Sequence, residues 1–112
     1  MAYAHLQVQP LTPAIGAEIH GVSLDQNLSP ELVAEIRQAL LDHLVIVFRD
    51  QDLTTEQYLA FSRQFGPPKA YPFLKGLDRF PEVHVVSKLE TEQINFGGLW
   101  HSDTSYLARP PM

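Results

Sequence analysis

Between residues 29 and 67 the sequence spells out a helix, a strand and a second helix with the punctuation of each in place, and this order limits the fold more than any other feature. Ser29 and Pro30 supply an N-cap and a proline at the first helical position. Leu32, Ile36, Ala39 and Leu40 recur at helical spacing, so a helix is predicted over 30–43. Further on, Thr54 and Gln57 have capping-box spacing, Leu53 and Tyr58 the hydrophobic-staple positions, and Gly66 with Pro67 a stop. These predict a second helix over 54–65, with Tyr58, Phe61 and Phe65 as its core face. The intervening "LVIVF", 44–48, is branched and aromatic and of strand length, which predicts a central strand covered on both faces.

Around this unit, "HLQVQPL" and "AEIHGVSL" alternate apolar and polar residues and read as two N-terminal strands. "EVHVVSKL" at 82–89 reads as another strand, "ETEQINFGG" as a loop, and "LWHSDTSYL" at 99–107 as a further strand or extended segment. The stretch 67–81 is turn-rich yet carries Tyr71, Phe73 and Phe80. The class is mixed α and β. With 112 residues, no repeat and no linker composition, a single domain is expected.

Eight Lys and Arg against thirteen Asp and Glu give a net charge of -5, the opposite of a nucleic-acid footprint. Without cysteine, the chain has no disulfide, thiolate metal site or cysteine nucleophile. The start lacks a signal-peptide pattern, and the longest aliphatic run is far too short to span a bilayer. A soluble, cytoplasmic protein with neither nucleic acid nor membrane as partner is expected.

The chemistry-bearing stretch is "GGLWHSDTSY", 97–106. In an extended segment His101 and Asp103 lie on one face and Trp100 on the other, where it would anchor the core. Two side chains rooted about 6 to 7 Å apart can converge on one cation through bonds of roughly 2 Å. With a second histidine they would make a facial set of two histidines and one carboxylate, which suits non-haem Fe(II). A bare H-x-D also occurs as a surface ion pair or an Asx turn. Gly97 and Gly98 are expected to permit a backbone conformation or close approach that a Cβ would block.

In order along the chain, "IGAEIHGVSL", "VIVFRDQDLTTEQYLAFSRQFGP" and "NFGGLWHSDTSY" resemble the TauD/TfdA family of Fe(II)- and 2-oxoglutarate-dependent dioxygenases. The resemblance implies an α+β fold with a double-stranded β-helix, or jelly-roll, core flanked by helices, of which this chain is the N-terminal part. It implies His101 and Asp103 as the first two iron ligands, 2-oxoglutarate as cosubstrate, O2 as oxidant and a small organic substrate such as taurine, an alkyl sulfate or an aryloxyacetate. The family's third ligand, a distal histidine, and its 2-oxoglutarate-binding arginine have no counterpart here. His5, His20, His43 and His84 do not match, and Arg109 is too close to Asp103. An isolated segment with two ligands is expected to be inactive, and the rival class is a non-catalytic α/β metal-binding or interaction module. Tyr71 falls where taurine-type members place a substrate-contacting histidine and is either a pocket residue or a packed aromatic. Asn95 either contacts substrate or caps the turn before the ligands. A homo-oligomer is the default assembly for such an enzyme.

Overall fold

The computed structural model describes residues 3–111. They form two compact units, one within the first 65 residues and one from Gly66 onward.

The first unit is a three-stranded sheet with two helices. Strand β1 (Gln7–Pro10) pairs antiparallel with β2 (Ala17–His20), in the register Gln7 to His20 and Pro10 to Ala17. β2 pairs in parallel with β3 (Ile46–Phe48), so β2 is the middle strand. Parallel neighbours need a crossover, and helix α1 (Pro30–His43) provides it. The Ser29 hydroxyl accepts from the Leu32 amide at 3.2 Å, as the cap signal predicts. α1 ends on Leu44, whose φ of 67° turns the chain out of the helix while its amide donates to the Leu40 carbonyl at 2.8 Å. The turn between β1 and β2 is tied to that end, because the Gly16 amide donates to the His43 carbonyl at 2.8 Å. Helix α2 (Thr55–Arg63) opens with both bonds of its capping box, Gln57 amide to Thr54 hydroxyl and Thr54 amide to Gln57 Oε1.

Leu6, Ile19, Ile36 and Ala39 make the core, and Ile36 is only 1% exposed. Phe48, Phe61 and Phe65 close it with edge-to-face contacts at 5.8 and 5.2 Å. Arg49, directly after β3, pairs with Glu18 of β2 at 3.2 Å.

Two expectations change here. "LVIVF" is not a central, doubly covered strand: β3 is an edge strand of three half-buried residues, since Leu44 is spent on the helix cap and Val45 is exposed. Tyr58 is 54% exposed, because Leu59, at 2%, takes the buried position on α2.

The second unit contains no helix or strand among its described residues. Turns hold it, with the amides of Phe80 and Val83 donating to the carbonyls of Leu77 and Phe80 and the Leu77 amide to Val83. The strand predicted at 82–89 does not form, and 99–107, read as a strand or an extended segment, is not a strand. Alternation states only a preference for a pleated, half-buried surface, and here Val85, Val86 and Leu89 remain exposed with no strand alongside. Trp100 is fully exposed and anchors no core. The double-stranded β-helix is therefore not built within the described residues, which supply three strands in all. No helix among them is long and apolar enough to cross a membrane.

Candidate metal centre

His101 and Asp103 do meet, although not as neighbours on a strand. His101 Nε2 stands 3.1 Å from Asp103 Oδ1 in a bent segment that turns through Thr104, at a φ of 45°. The pair lies two residues apart in a segment that is not a strand, and the turn at Thr104 comes after it. The other imidazole nitrogen, Nδ1, lies 2.7 Å from the Leu99 carbonyl, which leaves Nε2 as the nitrogen aimed at the carboxylate. The Leu99 carbonyl and then the Asp103 charge raise the His101 pKa above the usual histidine range.

This arrangement fits a divalent cation. Two cis ligands with bonds of about 2.1 Å stand about 3 Å apart, close to the separation seen here. A ligating imidazole usually donates its second N–H to a carbonyl or carboxylate, which is what Leu99 accepts. Both side chains are exposed. No third His, Cys, Asp or Glu stands with them among the described residues.

The glycines act as their spacing predicts. Gly97 adopts φ +70°, and a Cβ there would lie 3.4 Å from His101 Cε1, while one on Gly98 would lie 3.2 Å from the Asn95 carbonyl. Asn95 and His101 line one open depression of ≈ 510 Å³ together with Gln93 and Leu99. The Asn95 side chain accepts from Lys88 Nζ at 2.6 Å, and its backbone carbonyl accepts from the Gly98 amide at 3.2 Å. Sequence reasoning missed Lys88 and the Leu99 carbonyl. Seven residues and a turn separate Lys88 from Asn95, and a backbone acceptor carries no residue signature.

Tyr71 sits in a ring cluster, edge-on to Phe73 at 5.5 Å and to His84 at 6.2 Å, and Phe73 in turn packs on Tyr106. Burial, and then Tyr71, raise the Tyr106 pKa. The cluster thus joins the 67–81 stretch to the segment that follows Asp103. His84 also hydrogen-bonds the Leu74 carbonyl at 3.0 Å, and neither it nor His5, His20 or His43 joins the pair.

Residues 7–112 match the model of the taurine catabolism dioxygenase TauD, TfdA family. The chain belongs to the TauD/TfdA family. Fe(II) and 2-oxoglutarate are the metal and cosubstrate that go with this membership. Among curated TauD/TfdA relatives, it is 33% identical over 107 residues to the alpha-ketoglutarate-dependent sulfate ester dioxygenase of Pseudomonas putida, covering 95% of this chain and 35% of that protein. It is 40% identical over 108 residues to the (S)-phenoxypropionate/alpha-ketoglutarate-dioxygenase of Sphingobium herbicidovorans, covering 89% and 36%. A solved taurine dioxygenase from Burkholderia xenovorans superposes with a TM-score of 0.65 at 50% identity, over 69% of this chain and 28% of that one. The chain spans about a third of the length of the curated relatives it matches.

Proposed function

We propose that this chain supplies the first two iron ligands, His101 and Asp103, of an Fe(II)/2-oxoglutarate dioxygenase that hydroxylates a small organic anion: a sulfonate, a sulfate ester or an aryloxyalkanoate. The observation that carries the reading is the 3.1 Å approach of His101 Nε2 to Asp103 Oδ1, with Nδ1 turned to the Leu99 carbonyl. Bound iron supplies one-electron and O2 chemistry at positions the protein leaves open.

The chain's own residues orient and restrict. Leu99 holds the imidazole tautomer that presents a lone pair at Nε2. Asp103 adds the hard anionic donor that offsets the cation's charge. Gly97 lets the backbone pass close beneath the ring. Asn95, in the same depression, offers an amide to an anionic or carbonyl group, and Tyr71, edge-on to Phe73 and His84, is proposed as an aromatic contact for the substrate. Family membership and likeness to solved relatives support a jelly-roll core completed by residues outside this segment, so the 1–112 region reads as the N-terminal portion of one dioxygenase domain. Two ligands alone hold a metal loosely, so the segment on its own is expected to be inactive.

The test uses the complete protein that carries this segment. It is loaded with Fe(II) and given 2-oxoglutarate with taurine, an alkyl sulfate and a phenoxypropionate in turn, while succinate is measured. Substrate-dependent succinate that disappears in His101→Ala and Asp103→Ala supports the reading. Equal succinate release in those variants overturns it.

A further inference from the structure

Residues 3–6, just before β1, adopt neither helix nor strand, yet Leu6 is buried and Tyr3 packs on the core. One face of α1 fixes them. The Glu35 carboxylate accepts from the Ala4 amide at 3.1 Å, from the His5 amide at 2.9 Å and from His5 Nδ1 at 2.8 Å. Two turns further along, Asp42 accepts from the Tyr3 hydroxyl at 2.6 Å and from the Gln38 amide group at 2.7 Å. Positions 35, 38 and 42 share that face by helical spacing. The hydrogen bonds of Ala4 and His5 thus belong to no ladder and end on a single side chain.

We propose that residues 3–6 form a strap that docks on α1 and lifts from it as a unit, latched by the carboxylates of Glu35 and Asp42, while the sheet stays folded. The two latches stand at one end and in the middle of the strap, with Leu6 as its apolar plug. Lifting removes Leu6 from the cluster that encloses Ile36 and leaves an apolar spot rimmed by two acidic groups. Segments held by few contacts open locally at a lower free energy than the whole fold, and this strap has that character.

The latch depends on charge, because an ionised carboxylate accepts through both oxygens and a protonated one does not. The groups that face it are Tyr3 and His5 from the strap and Glu35, Asp42 and His43 from α1. The His5 amide above all holds Glu35 below its ordinary range, and the Tyr3 hydroxyl does the same for Asp42. Both latches are therefore fully engaged at pH values above the ordinary carboxyl range, and they release as pH falls through the lowered pKa values of Glu35 and Asp42.

Amide hydrogen exchange on the intact protein tests this, read at Ala4 and His5 against Gly16 and Ala17, whose amides are bonded to His43 and Val45. After correction for intrinsic rates, the Ala4 and His5 amides should lose protection as the pH is lowered from 6 to 3, while Gly16 and Ala17 stay protected. Glu35→Gln should remove most of that pH dependence, and Asp42→Asn should lower the protection of the same Ala4 and His5 amides, because the strap lifts as a unit. Strap and sheet amides that open together at every pH overturn the proposal, as does a Glu35→Gln protein with parental protection. If Glu35→Gln does not fold, the parental comparison of strap with sheet decides alone.

Discussion

Gln51 bridges the ends of two adjacent strands: its Oε1 accepts from the Leu24 amide at 2.9 Å, and its Nε2 donates to the carbonyls of Val22 and Arg49 at 3.3 and 3.1 Å. One side chain thereby satisfies three backbone groups just past β2 and β3. Replacing it strands them. Gln51→Leu is expected to lower stability by about 1 to 3 kcal/mol, the usual range for leaving part-buried polar groups unsatisfied. Gln51→Glu keeps the acceptor and loses the donor, and should fall between the two. Urea denaturation compares all three, and an unchanged Gln51→Leu midpoint would show the bridge to be dispensable.

A second outcome concerns alkali. Burial, aided by the hydrogen bond to Asp42, pushes the Tyr3 pKa up to about 12 from the usual tyrosine value. Because the folded value is the raised one, the Tyr3 contribution is complete below about pH 10 and fades as pH climbs through about 12. Melting curves between pH 9 and 12 should therefore fall more steeply for the parent than for Tyr3→Phe. Parallel curves would place the Tyr3 hydroxyl outside the folded unit.

Metal affinity is the third test. In the complete protein, His101→Ala and Asp103→Ala should each weaken Mn(II) or Fe(II) binding at least tenfold, the scale on which even supporting residues act. Gly97→Ala should weaken it as well. It imposes a Cβ where φ is +70° and the His101 ring lies 3.4 Å away. Calorimetric titration distinguishes these cases, and wild-type affinity in Gly97→Ala would mean that the ring orients independently of its backbone.

The left-handed Leu44 invites a stabilising change. Its side chain is mostly exposed, so little burial is lost on replacing it, and glycine adopts φ 67° without steric cost. Leu44→Gly is expected to raise stability by about 0.5 to 1 kcal/mol, and Leu44→Ala to leave it near the parent value. A fall in melting temperature for Leu44→Gly would argue that the leucine packs in solution.

The two helices were legible because caps and apolar stripes act over four residues. Ser29 and Thr54 accept the hydrogen bonds that their spacing predicts. β1 and β2 showed in the alternation around Val8 and Ile19. The rank of β3 did not, since five apolar residues cannot reveal that Leu44 is spent on a helix cap or that the sheet order places Ala17 and Ile19 in the middle. Around the candidate site, the spacing of His101 and Asp103 pointed to two side chains that do approach each other, though on no strand. The expectation that the same segment is a strand misplaced Trp100 in a core. Strand patterns at 82–89 and 99–107 could not come true without a neighbouring backbone to pair with, and sequence does not say where such a neighbour lies.

The outer edge of β3 has no neighbouring strand among the described residues. A sheet edge with free amides and carbonyls is a template for another backbone, and Arg49 with its Glu18 partner puts charge at only one end of it. Three residues of edge, Ile46 to Phe48, are the length over which this sheet can accept a further strand.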